Sequence, residues 1–83
     1  MVAMSDTLAA AFRRNVRARM ERLGLSQADL AEKLDVTAGF VSQMLSGHRN
    51  PGLNSLEDFA KALEIDASEL IREKISRRLS KVS

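Results

Sequence analysis

The sequence predicts a compact all-α domain of five helices, and three observations carry that expectation. The first is composition. In 83 residues there are one Pro, four Gly, no Tyr and no Trp, and β-branched residues are few. Such a chain favours helix over strand. The second is periodicity: apolar residues recur three and four apart, and no strand pattern accompanies them. The third is size. A chain this short hides only about 60–65 % of its unfolded surface, enough for one thin core. At 45 % apolar and 29 % charged residues it has the balance of a globular protein, not of a disordered segment. The expected organisation is an N-terminal arm (1–6), a helical domain (7–71) and a helical C-terminal extension (72–83).

The first helix is expected to start near Thr7, with Ser5 or Thr7 as its cap. Leu8, Phe12, Val16, Met20 and Leu23 define one face of it, and Gly24 stands where a helix-ending Gly belongs. Ser26 caps a short second helix, with Asp29 three residues later on the favourable side of the helix dipole. Leu30 and Leu34 point inward there, and Ala28 and Ala31 leave room for a neighbouring backbone. The pattern then breaks over Leu34-Asp35-Val36, and Thr37 offers a new cap. So short a break makes two helices cross steeply, as in a helix-turn-helix. Asp35 falls where a left-handed residue is needed, a conformation Asp tolerates better than most.

The third helix runs from about Ala38 to Leu45 and stops at Ser46-Gly47. Val41, Met44 and Leu45 form its inner side; Ala38, Gly39, Ser42, Gln43 and Ser46 form an outer side without a charge. Surface helices normally carry Lys and Glu there, so this face suits a helix pressed closely against something. His48-Arg49-Asn50-Pro51-Gly52 reads as a loop. A fourth helix spans about Leu53 to Leu63, with Leu56, Phe59, Ala60 and Leu63 inward. Asp66 and Glu69 have the spacing of a capping box for a fifth. Leu70, Ile71, Ile75 and Leu79 continue an apolar stripe into the tail.

Composition excludes several functions. There is no Cys, hence no disulfide scaffold, thiol nucleophile or thiolate metal site, and a single His, His48. Neither a Gly-rich phosphate loop nor a catalytic His arrangement is present. The carboxylate pairs Asp29/Glu32 and Glu57/Asp58 fall on expected surface helices. The expectation is therefore no enzymatic activity, no catalytic residues, no metal and no cofactor. No apolar run approaches the ~20 residues of a membrane span, and no secretion signal is visible, so the cytoplasm is the expected compartment.

The net charge of +2 conceals segregation. Residues 1–24 carry Arg13, Arg14, Arg17, Arg19 and Arg22 against Asp6 and Glu21. Residues 53–70 are acidic, and the tail is basic again. Basic ends with an acidic middle let one side face a polyanion. For the arginines of the first helix two readings stand, a solvated face or an approach to phosphates.

Residues 25–45, LSQADLAEKLDVTAGFVSQML, resemble the helix-turn-helix of phage-repressor-like (Cro/repressor, XRE-type) DNA-binding domains. The matching features are Ser26-Gln27 opening the second helix, Asp29-Leu30-Ala31, Val36-Thr37 at the turn, Val41-Ser42-Gln43-Met44 and Gly47. The continuation HRNPGLNSLEDFAKALEIDASEL resembles the family's last two helices, so the likeness covers about residues 8–71. It implies a lambda-repressor-like fold whose third helix enters the major groove of double-stranded DNA.

The same resemblance would place Thr37, Ala38, Gly39, Ser42 and Gln43 over the bases. The amide of Gln43 can pair with adenine N6 and N7. Backbone contacts would fall to Gln27, Phe40, His48, Arg49 and Asn50, with Arg13 and Arg17 approaching from the first helix. As a phosphate contact, Arg49 replaced by Ala would weaken binding to all sequences alike. Phe40 reads equally as a packing residue.

Two departures stand out. Ala38 and Gly39 replace the longer polar side chains of other members. Met20 and Leu45 occupy positions where many members carry a buried Arg–Glu pair, an exchange that is often neutral or stabilising.

The expected function is a dimeric, sequence-specific transcriptional regulator, a repressor or controller protein acting on a two-fold symmetric operator. Ile71, Ile75 and Leu79 would supply the dimer contact, or else cap the monomer's own core. Two alternatives remain: an antitoxin that also masks a toxin, or an interaction module that kept the fold and lost DNA binding.

Overall fold

The computed structural model describes residues 6–72 of the chain. Among these residues five helices form: α1 (Asp6–Leu23), α2 (Gln27–Leu34), α3 (Ala38–Ser46), α4 (Leu53–Ala62) and α5 (Ala67–Leu70). The α2–α3 pair is the helix-turn-helix. Helix α1 packs against α3 and α5, α2 against α4, and α4 against α5. No described helix is long and apolar enough to cross a membrane.

The inward faces meet in one core. Phe12, Val16, Leu30, Val41, Leu63 and Leu70 are fully enclosed. Phe12 and Phe59 stack edge to face at 5.2 Å, a geometry that aligns ring edge with ring face and ties α1 to α4. Met20 and Leu45 are both buried in this apolar cluster. Ala9 and Ala11 of α1 are buried too, so the packed face is wider than the apolar stripe that revealed it.

Each turn has an identifiable cause. Helix α1 ends with Leu25 N–H donating to Met20 O and Gly24 N–H to Glu21 O, with Gly24 at φ 70°. Helix α2 ends in the same way, through Val36 to Ala31 and Asp35 to Glu32, with Asp35 at φ 61°. Helix α4 ends so too, through Ile65 to Ala60 and Glu64 to Lys61, with Glu64 at φ 57°. This paired closure satisfies carbonyls that a helix end would leave bare. The left-handed Asp35 accords with the sequence reading; the left-handed Glu64 carried no such signal.

Four expectations need correction. Leu23 is 40 % exposed despite its place on the α1 stripe. Its angular position is right, but at the last helical residue little remains to pack beneath it. Ala28 is exposed, so Ala31 alone provides the close approach in α2. Thr7 lies inside α1 (Asp6–Leu23) and does not cap it, while the other expected cap, Ser5, lies outside the described residues. Asp66 is the N-cap of α5 but makes no side-chain cap bond. The carboxylate of Glu69 instead pairs with Arg72 at 2.7 Å, which removes the reciprocal half of the expected box. Ile71 is half-buried against the core, while Ile75 and Leu79 lie outside the described residues.

Candidate nucleic-acid interface

The placement of α3 begins with its N-cap. Thr37 takes an extended backbone (φ −81°, ψ 155°), and its hydroxyl accepts from the N–H of Phe40 at 3.1 Å. Val41, Met44 and Leu45 then anchor the inner side, and Gly47 closes the helix at φ 94°. A helix locked on one side presents the other as a rigid surface. Ala38, Gly39, Ser42, Gln43 and Ser46 are all exposed there, and α3 carries no charged residue.

Nothing inside the protein requires glycine at Gly39. A Cβ at that point would meet only Thr37 Oγ1, at 3.9 Å, an ordinary contact. The residue therefore lowers helix propensity without an internal steric reason.

The loop after α3 folds back onto Gln43. The N–H of Arg49 donates to the carbonyl of Gln43 at 3.2 Å. Its Nε donates to the side-chain Oε1 of the same residue at 3.2 Å. The guanidinium lies over the Phe40 ring, 5.1 Å from the centroid, within reach of a cation–π attraction. The Ser46 hydroxyl donates to Gln43 O at 3.3 Å and lies 2.7 Å from Nδ1 of His48. Phe40 is half-buried, packed against the core while its ring also carries Arg49. The packing reading of Phe40 accords with this, and the arginine on its ring had no sequence signal. Asn50 is exposed beside this cluster.

Gln27 is the exposed first residue of α2. Ser26 and Asp29 form a complete capping box: Asp29 N–H donates to Ser26 Oγ, and Ser26 N–H to Asp29 Oδ2, both at 3.0 Å. The latter bond is the main reason the Asp29 carboxyl sits below its ordinary value, with the Ser26 hydroxyl and the Lys33 charge adding to it. The box leaves the N–H groups of Gln27 and Ala28 without intrahelical acceptors, as donors for an anion. Asp29 places a negative charge at the same end, which opposes that use.

The arginines of α1 have partners that no sequence signal announced. Three of the five, Arg14, Arg17 and Arg19, hold main-chain carbonyls of the protein itself, while Arg14, Arg17 and Arg22 are also exposed to solvent. Arg17 Nη2 donates to Leu45 O at 2.9 Å, at the end of α3. Arg19 donates to Leu63 O at 3.0 Å and Glu64 O at 3.2 Å, closing α4. Arg14 reaches Arg72 O at 2.8 Å, and Asn15 Nδ2 bridges Leu70 O and Arg72 O at 2.9 Å each, closing α5. One basic helix thus caps the C-terminal ends of three others, where the helix dipole favours cations. Arg13 lies beside Gly47, with its Nη1 buried and without a hydrogen-bond partner.

Among the described residues, no cluster of His, Asp or Glu could hold a metal ion. Asp29, Glu32, Glu57 and Asp58 are exposed.

Comparison with known proteins agrees with this geometry. The sequence profile of the helix-turn-helix family matches residues 16–70. No curated protein matches significantly. Among solved structures, the hypothetical transcription factor NHTF from Neisseria is similar over 96 % of this chain and 94 % of its own, at 26 % identity and a TM-score of 0.80. The restriction-modification controller protein C.AhdI from Aeromonas hydrophila is similar over 81 % of this chain and 98 % of its own, at 30 % identity and a TM-score of 0.69. The SOS-response transcriptional repressor LexA from Eubacterium rectale shares the fold over 89 % of this chain and 77 % of its own, at 23 % identity and a TM-score of 0.72. With the profile spanning both helices of the motif and their core partners, the chain belongs to the phage-repressor-like, XRE-type helix-turn-helix family of DNA-binding proteins.

Proposed function

We propose that this DNA-binding transcriptional regulator acts as a homodimeric repressor or controller protein on a two-fold symmetric operator. One observation carries the reading: the outer face of α3 is exposed, uncharged and short-limbed, and it is held rigid by a buried inner side. A major groove admits such a helix and offers each base pair as a distinct pattern of donors and acceptors. In this reading Gln43 pairs with adenine, Ser42 and Thr37 offer hydroxyls, and Ala38 and Gly39 permit close approach. His48, Arg49, Asn50 and Gln27 flank the groove as backbone contacts.

Of the α1 arginines, Arg17 has a smaller part in this than the sequence implied, because its guanidinium already holds the carbonyl of Leu45. Arg17 offers DNA only the N–H groups that Leu45 does not engage, and Arg13 approaches from beside Gly47. The small size of one reading head favours a dimer, with half-sites about 34 Å apart. Ile71 and the following residues Ile75 and Leu79 are the proposed contact between copies. That the similar proteins include a transcription factor and a controller protein supports regulation as the purpose of binding.

Selection of bound duplexes from a random pool tests this, followed by a salt titration. The expected result is a two-fold symmetric motif. Log affinity should fall with log salt at a slope of roughly −0.9 per phosphate contacted. Gln43→Ala should lose preference at one position per half-site. Recovery of no motif, with no salt-sensitive binding to any duplex, would sink the reading.

A further inference from the structure

We propose that Arg49 is a positioning residue for base recognition, one that fixes the amide of Gln43 in a single orientation through the Phe40–Arg49–Gln43 stack. This rests on the reading of Gln43 as a base contact, and it assigns Arg49 a role in specificity beyond a phosphate clamp.

A glutamine on an exposed helix face ordinarily samples several rotamers and both orientations of its amide. Here that freedom is removed from three sides. The Nε–H of Arg49 points at Oε1 and not at the NH2 group, since two donors would repel. The guanidinium cannot swing away freely, because the Phe40 ring lies beneath it at 5.1 Å. The main chain of Arg49 is itself tied to Gln43 through the 3.2 Å bond to its carbonyl.

The consequence is a matter of donors and acceptors. Oε1 has two lone pairs, and Arg49 uses one. The second remains for the N6 amino group of adenine, while Nε2 stays free to donate to N7. Turning the amide over would offer NH2 to guanine O6, but it would also set NH2 against the Nε–H of Arg49. The arginine therefore favours adenine over guanine without touching either. Pre-ordering one rotamer-rich side chain is worth about 2- to 12-fold in binding. Fixing its donor–acceptor order adds discrimination between the two purines.

Lysine separates the two roles of Arg49. It keeps the positive charge that a phosphate needs, but has neither the planar fork nor an Nε–H at that place. The test uses the full chain and the duplex recovered by selection, with single base-pair changes at the position that Gln43→Ala identifies. Competition binding then gives the adenine-to-guanine ratio for wild type, Arg49→Lys and Phe40→Leu, with thermal melting confirming that each variant is folded. Arg49→Lys is expected to lower that ratio at least fivefold while preferences elsewhere in the half-site hold within twofold. Phe40→Leu, which removes the ring beneath the guanidinium, should lower it in the same direction.

An unchanged ratio in Arg49→Lys would overturn the proposal and leave Arg49 a plain phosphate contact. So would loss of preference at a position that Gln43 does not control, which would make Arg49 a base reader. A wild-type protein that selects no motif would instead overturn the regulator reading, and this proposal with it. The two failures are thereby distinct.

Discussion

Replacing Gly39 by alanine should make the protein more stable and a worse DNA binder. The stability side follows from local geometry. Gly39 is the second residue of α3, with no positive φ to defend, and the added Cβ meets only Thr37 Oγ1 at 3.9 Å. Alanine in place of glycine within a helix is worth about 0.5–1 kcal/mol, mostly through the entropy the unfolded chain no longer loses. For a domain of this size that raises the melting temperature by about 2–8 °C. The binding side follows from position. Gly39 lies on the exposed face that the proposed function sets against the bases, so in that reading the new methyl projects towards their edges. A methylene-sized intrusion into a closely packed contact costs about 1–3 kcal/mol, roughly 5- to 150-fold in affinity. Circular dichroism melts and operator titrations measure the two sides independently. A variant that is stabilised and binds as tightly as wild type would refute the idea that DNA needs the space. A variant that melts earlier would refute the steric argument itself.

The other predictions concern what holds the reading head in place. Arg19→Ala should cost about 1–2 kcal/mol by baring the carbonyls of Leu63 and Glu64. A capping role leaves the salt slope of DNA binding within about half a unit, whereas a phosphate contact would reduce it by roughly 0.9; a salt titration of the variant decides. Asp29 supplies a pH test. Its carboxyl is lowered in the folded protein, chiefly by the Ser26 backbone N–H, so the unfolded chain takes up the proton first as pH falls. The stabilisation is thus full above the ordinary carboxylate value of 3.8 and is lost as pH drops through the lower, folded one. The gap in melting temperature between wild type and Asp29→Ala should hold between about pH 7 and 5 and close below about pH 4. A gap that persists in acid would show that the carboxylate is not what caps α2.

What could be read from the sequence was whatever is written locally. Ser26, Asp29, Asp35, Thr37 and Gly47 mark helix ends through chemistry within a few residues, and each occupies the role its type suggested. The inner faces of α3 and α4 follow from spacing alone, and the burial of Met20 and Leu45 from the resemblance. The failures have a common cause as well. Leu23 and Ala28 fit a periodic pattern, but periodicity fixes an angle around a helix and says nothing of whether a neighbour extends that far along it. The fifth-helix box failed because Glu69 found Arg72, a competitor that spacing rules do not weigh.

The functional surface shows the same division more sharply, and the basic helix is the clearest case. Arg14, Arg17 and Arg19 bind main-chain carbonyls on residues 28 to 58 positions away. A carbonyl is identical at every residue, so no side-chain pattern can announce it as a partner. Charge counting sees five arginines in the first two dozen residues and infers a polyanion; the fold supplies three helix ends that attract the same cations. The recognition helix inverts that lesson. Its outer face holds no charge at all, yet it is the better candidate for meeting DNA, because specificity needs close, shaped contact and α3 offers nothing long enough to prevent it. The cation beside that face is Arg49, tied by its own backbone to Gln43 and by its side chain to both Gln43 and Phe40. One cation supporting a neutral reading surface is a more selective device than five spread along a helix. Bulk charge attracts every duplex alike, whereas an amide held in one orientation distinguishes between two purines.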